Sequence, residues 1–108
     1  MKRRHTALVI GVAAIAALIV GCAAAIPSIT TGDAERVGVP IDLLRDGRER
    51  YIAKCSGCHA LYAPPKYTTA EWDREMEEMR ERSRLTDEDF ERITTFLHAF
   101  AKTDAPSP

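Results

Sequence analysis

The chain has 108 residues, room for one small domain, and its fifteen basic and sixteen acidic residues leave a formal net charge of −1. It lacks the basic face that a nucleic-acid binder needs. Its three cysteines, Cys22, Cys55 and Cys58, each fall in a motif with a use for a thiol, so none is left over for a disulfide.

The N-terminal stretch opens with a basic cluster, Lys2, Arg3 and Arg4, and continues as an apolar run from Ala7 to Val20. A basic n-region followed by an apolar h-region describes an export signal. The tetrapeptide Ile19-Val20-Gly21-Cys22 resembles the lipobox of bacterial lipoproteins. That resemblance implies cleavage before Cys22 and lipid on its thiol and new amino terminus, an anchor on the extracytoplasmic (periplasmic) side of a bacterial membrane. The other reading is an uncleaved transmembrane anchor, because Ala7 to Ile26 is uncharged and long enough to span. Both readings tether the same domain to a membrane. Without the three basic residues, twelve basic face sixteen acidic, a charge of −4.

Residues 1–21 are therefore expected to be a signal peptide and residues 22–40 a lipidated N-terminus with a flexible linker. From Pro27 to Pro40 the density of turn formers (Ser28, Thr30, Thr31, Gly32, Asp33, Gly38) predicts a tether without regular structure. Residues 41–102 are expected to fold, and residues 103–108 to form a disordered tail.

In the folded part a first helix is predicted from about Asp42 to Lys54, with Leu44, Gly47, Tyr51 and Cys55 on one face. Glycine inside a helix costs about 1 kcal/mol relative to alanine, so Gly47 points to a close helix approach. The helix delivers Cys55-Ser56-Gly57-Cys58-His59, a C-x-x-C-H motif that reads as the attachment site of one c-type haem. Two thiols at this spacing can each add across one vinyl group of the ring. The histidine that follows then supplies an axial nitrogen to the iron. A redox dithiol would want a βαβ pattern, and a zinc site would want four ligands, with only the distant His98 left to complete one.

The loop that follows contains Pro64-Pro65, which stop helix propagation and stiffen the chain. Either prolyl carbonyl is a candidate acceptor for the free ring N–H of His59, and Tyr62 and Tyr67 are candidates for the haem rim. A second helix is predicted to start at Thr68, where Thr68-x-x-Glu71 makes a capping box. Trp72, Met76 and Met79 fall on one stripe of it, and Asp73, Arg74, Glu77, Glu78 and Glu81 on a solvated face. A third helix is predicted from Thr86 to about Lys102, with Phe90, Ile93, Phe96, Leu97 and Phe100 along its inner side.

From Asp42 to Ala101 these features resemble a small class I cytochrome c. Gly47 and Tyr51 precede the C-x-x-C-H, and Phe96 and Phe100 lie on the last helix. The resemblance implies an all-α, three-helix domain around one covalently attached haem, with crossed first and last helices. It makes Met79 the sulfur ligand of the iron and puts Met76 in an aliphatic position, although Met76 is itself a thioether and stands as the second choice. The function implied is single-electron transfer between extracytoplasmic redox protein partners at the membrane. The alternative is a haem domain with an open sixth position, acting as a gas sensor or catalytic subunit. No Ser-His-Asp set, paired acid–base carboxylates or phosphate loop suggests another reaction.

Overall fold

The computed structural model of the chain describes residues 26–56 and 60–104. The expectations for Cys22, Cys58 and His59 lie outside these residues. Among the described residues the fold is all-helical: α1 (Thr31–Val37), α2 (Ile41–Cys55), a 3-10 turn (Pro64–Lys66), α3 (Thr69–Arg82) and α4 (Asp87–Ala99). None of these helices is long and apolar enough to cross a membrane.

Three of the helices start the same way. Thr30, Thr68 and Thr86 each accept a hydrogen bond from the backbone N–H three residues on. The carboxylates of Asp33, Glu71 and Asp89 return a bond to the cap N–H, which satisfies two orphan donors at each helix start. α1 ends at Gly38, whose φ of 67° places it in the left-handed region favoured by glycine, and its N–H donates to the Ala34 carbonyl. Pro40 then leads into α2.

Where composition predicts an irregular tether over Pro27 to Pro40, the structure holds α1. The capping box of Thr30 and Asp33 outweighs the local density of turn formers. Ahead of it, Ile26 and Ile29 are buried in the same core cluster as Leu44 and Phe96. The last helix also differs from expectation, ending at Ala99 instead of near Lys102. The Lys102 N–H donates to the Tyr67 carbonyl at 2.9 Å, and Lys102 forms a parallel bridge with Thr68. The chain therefore leaves the helix to lie beside the start of α3.

The most extensive packing is α2 against α4, followed by α3 against α4. Fully buried Leu44, Ile93, Phe96 and Leu97 fill the first of these seams. Gly47 makes the approach possible. A Cβ there would collide with the Arg92 carbonyl and sit 2.9 Å from the Phe96 Cβ. Gly47→Ala is expected to destabilise the holoprotein by about 3 kcal/mol through overpacking. That exceeds the ~1 kcal/mol that alanine returns in helix propensity. A denaturant melt checks it.

An ion cluster ties the outer edge of the same pair. Arg50 on α2 reaches Asp46 at 2.9 Å and, across to α4, Asp89 at 2.8 Å and Glu88 at 3.4 Å. Asp89 is buried, with Lys54 also 3.9 Å away. Its carboxyl is held below the usual carboxylate range, first by the Thr86 backbone N–H and then by Arg50. A carboxyl whose folded-state value is depressed stabilises the fold above its unfolded value, and that contribution is lost as pH falls through the folded value. Asp89→Asn is therefore expected to lower stability near neutral pH. The difference from the parent should shrink as pH falls below about 4, as read from denaturant midpoints across a pH series.

Candidate functional site

α2 and α3 both pack on α4 but make little direct contact with each other. Between them lies a cleft whose α2 wall carries Tyr51 and Cys55 and whose α3 wall carries Trp72, Glu75, Met76 and Met79. Tyr62, from the connecting loop, closes one side. The local sequence dictates both walls. Tyr51 and Cys55 are one turn apart on α2. Trp72, Glu75, Met76 and Met79 stand at i, i+3, i+4 and i+7 on α3, a single helical face.

Hydrogen bonds fix the loop across the cleft. The Tyr51 hydroxyl donates to the Tyr62 carbonyl at 2.6 Å, and the Trp72 indole N–H donates to the Pro64 carbonyl at 2.8 Å. Burial, the largest influence on the Tyr51 phenol, pushes it well above its ordinary range, so it remains a neutral donor. The rings interlock edge to face: Tyr67 with Trp72 at 4.9 Å and Tyr51 with Trp72 at 6.3 Å between centroids. At the rim, half-exposed Tyr62 carries the Lys66 ammonium 3.4 Å from its ring centre.

The sequence-based candidates distribute as follows. Cys55, Met76 and Met79 are brought together on the cleft, with Cys55 and Met76 buried and Met79 half-buried. Cys58 and His59 lie outside the described residues, between Ser56 and Ala60. Of the two prolyl carbonyls proposed to face His59, that of Pro64 already accepts the Trp72 indole N–H. His98, weighed as a metal ligand, is on the surface with Nε2 2.7 Å from Asp73 Oδ1. Among the described residues no cluster of three or more histidine, cysteine and carboxylate side chains could hold a bare metal ion. Sequence reading missed Glu75 as a residue of the cleft. Its spacing of three from Trp72 was the signal that it shares the cleft face.

The donor set fits a haem better than any other group suggested by the sequence. A flat apolar macrocycle requires apolar walls on both faces, a thiol where the ring is attached and a soft sulfur or imidazole donor for iron. The cleft presents a thiol in one wall and two thioethers in the other, with aromatic rings between them.

A family model described as dihaem cytochrome c (DHC) matches residues 51–107. The matched stretch starts at Tyr51 on the cleft wall and includes the C-x-x-C-H, all of the α3 stripe and α4. No curated protein and no solved structure gives a significant match. The match supports a c-type cytochrome but differs from the single-haem class I resemblance, since the family is a dihaem one. The chain itself has one C-x-x-C-H, and its remaining cysteine, Cys22, stands far outside the matched residues.

Proposed function

The chain belongs to the dihaem cytochrome c family, and from that premise we propose that it is an electron carrier with a single covalent haem per chain. The observation that carries the reading is the cleft between α2 and α3, with Cys55 in one wall and the thioethers of Met76 and Met79 in the other. Cys55 and Cys58 would hold the ring, and His59 with Met79 would ligate the iron, Met76 being the second choice. When bound, the haem supplies a one-electron couple.

The protein's own residues do the rest. Tyr51 and Trp72 hold the loop by its Tyr62 and Pro64 carbonyls and so keep the cleft walls in place. The α2–α4 and α3–α4 seams keep the walls apart. Two protein ligands would leave no open coordination position, which favours electron transfer over substrate chemistry. Histidine and methionine together raise the reduction potential. We further propose that Cys22 carries lipid, placing the domain on the extracytoplasmic face of a membrane among redox protein partners. The basic n-region, apolar run and Ile19-Val20-Gly21-Cys22 support this reading.

The test is intact mass and pyridine haemochrome absorbance of the purified holoprotein, with carbon monoxide added to the reduced form. One haem per chain and no carbon monoxide shift are expected. Two haems per chain would overturn the single-haem reading. A carbon monoxide complex in the parent protein would instead support the sensor or catalytic alternative.

A further inference from the structure

Arg48 on α2 fastens the N-terminal segment to the domain. Its Nε donates to the Pro27 carbonyl at 2.8 Å, and its Nη2 lies 3.5 Å from the Ile26 carbonyl. Ile26 and Ile29 enter the core at 8% and 9% exposure. The chain is thus fixed from Ile26 onward, not from α2. Only four peptide steps separate Cys22 from Ile26, which span at most about 14 Å. A free linker up to Ile41 would reach roughly 65 Å.

Beside the fastened segment is an open depression lined by Ser28, Ile29, Arg45, Arg48 and Glu49. Two guanidiniums face one carboxylate there, on a chain whose charge is −4 once Lys2, Arg3 and Arg4 are set aside. Arg45 is exposed. Guanidinium forks suit phosphate oxygens, and the Ser28 hydroxyl adds a donor. The local charge is therefore opposite in sign to the overall charge and lies where the short connection to Cys22 begins.

We propose that this face, with exposed Arg45 at its centre and Arg48 adding charge from the guanidinium edge not bonded to the Pro27 and Ile26 carbonyls, seats on the phosphate groups of the membrane lipids, so that the haem domain stands on the membrane in one orientation. The proposal rests on anchoring through Cys22. Cys55 lies seven residues beyond Arg48, so it stands about 10.5 Å along α2 from the seated end.

Neutron reflectometry of the full-length acylated holoprotein on a supported bilayer of phosphatidylethanolamine and phosphatidylglycerol tests it. The amount retained after washing reads the anchor, and the thickness of the hydrated layer between lipid and protein reads the seating. The expected result is full retention with protein density starting at the headgroups. Arg45→Glu should open a hydrated layer of up to about 14 Å without loss of retention, and high salt should do the same to the parent. Arg48→Ala, which removes both the clamp and one guanidinium, should open a deeper layer than Arg45→Glu does, with the visible spectrum unchanged. A retained parent protein separated from the lipid by several tens of ångströms overturns the proposal, as does an Arg45→Glu protein with the parent's profile. Loss of the parent protein in the wash overturns the Cys22 anchor and the proposal with it.

Discussion

Replacing Cys55 and Cys58 together by serine is expected to leave no haem that survives acid–acetone extraction, and no cooperative thermal transition. The reason lies in how little protein there is to hold α3 in place. α2 and α3 touch through the Tyr51 and Trp72 rings but share no extended seam, so α3 is held by α4 and the loop, and a ring bound between the two helices would add the missing support. Tyr51, Trp72 and Met76 are almost fully buried, at 4%, 4% and 2% exposure. Full exposure of a large apolar side chain such as Met76 costs about 1.5–3 kcal/mol. Detachment of α3 would bring three such losses, roughly the low end of the 5–15 kcal/mol that stabilises a whole domain, and small domains sit at that low end. Losing the ring should therefore loosen α3 and the loop first, since α2 and α4 keep their own seam of Leu44, Ile93, Phe96 and Leu97. Far-ultraviolet circular dichroism during heating, beside haem staining of the extracted protein, reads both effects. A double variant with full helical content and a sharp melt would show that the cleft closes without help.

Much of this arrangement was legible in the residues. Thr68-x-x-Glu71 and the acids after Thr86 mark the starts of α3 and α4 because a capping box is a local device, complete within four residues. Gly47 marked a close helix approach because glycine in mid-helix needs a reason, and the reason is the Arg92 backbone. The stripe Trp72, Met76, Met79 follows from helical periodicity alone. What stayed hidden depends on partners distant in sequence. Thr30 and Asp33 form the same kind of box as the other two, but it stands among many turn formers, and the burial of Ile26 and Ile29 that fixes the chain ahead of it is set by distant partners. The clamp of Arg48 on Pro27 spans 21 residues, and the cross-helix bond of Arg50 to Asp89 spans 39. No local pattern announces either. The same holds for the early end of α4, which is decided by Tyr67, a residue from the loop before α3. The haem count is a different case: one C-x-x-C-H is plain in the chain, while the family's description speaks of two haems.

Met79→Ala is expected to change the iron site, and Met76→Leu is expected to leave it nearly unaltered. Both sulfurs line the cleft, yet three residues of helix separate them, about 4.5 Å along the axis, so one position over the iron cannot serve both. Their surroundings differ. Met76 is 2% exposed and belongs to the core cluster with Trp72 and Tyr51. A flexible thioether fills that kind of gap well, and leucine of similar volume replaces it at a cost under about 1.5 kcal/mol. Met79 is half-buried on the cleft wall and is not part of that cluster, which leaves its sulfur available to a bound group. The class I resemblance points to the same residue, seven positions after Trp72. Met79→Ala should therefore remove the weak sulfur-to-iron absorption of the oxidised protein and let carbon monoxide bind the reduced form. Axial ligands set haem potentials over roughly 0.8 V, so losing one sulfur should lower the potential by on the order of 100 mV. Met76→Leu should keep the absorption, the carbon monoxide resistance and the potential, and show only a modest loss of thermal stability. A reversed pattern would make Met76 the ligand. If neither variant altered the spectrum, iron would have no sulfur ligand on α3, and the sensor or catalytic reading would gain the support that the electron-carrier reading lost.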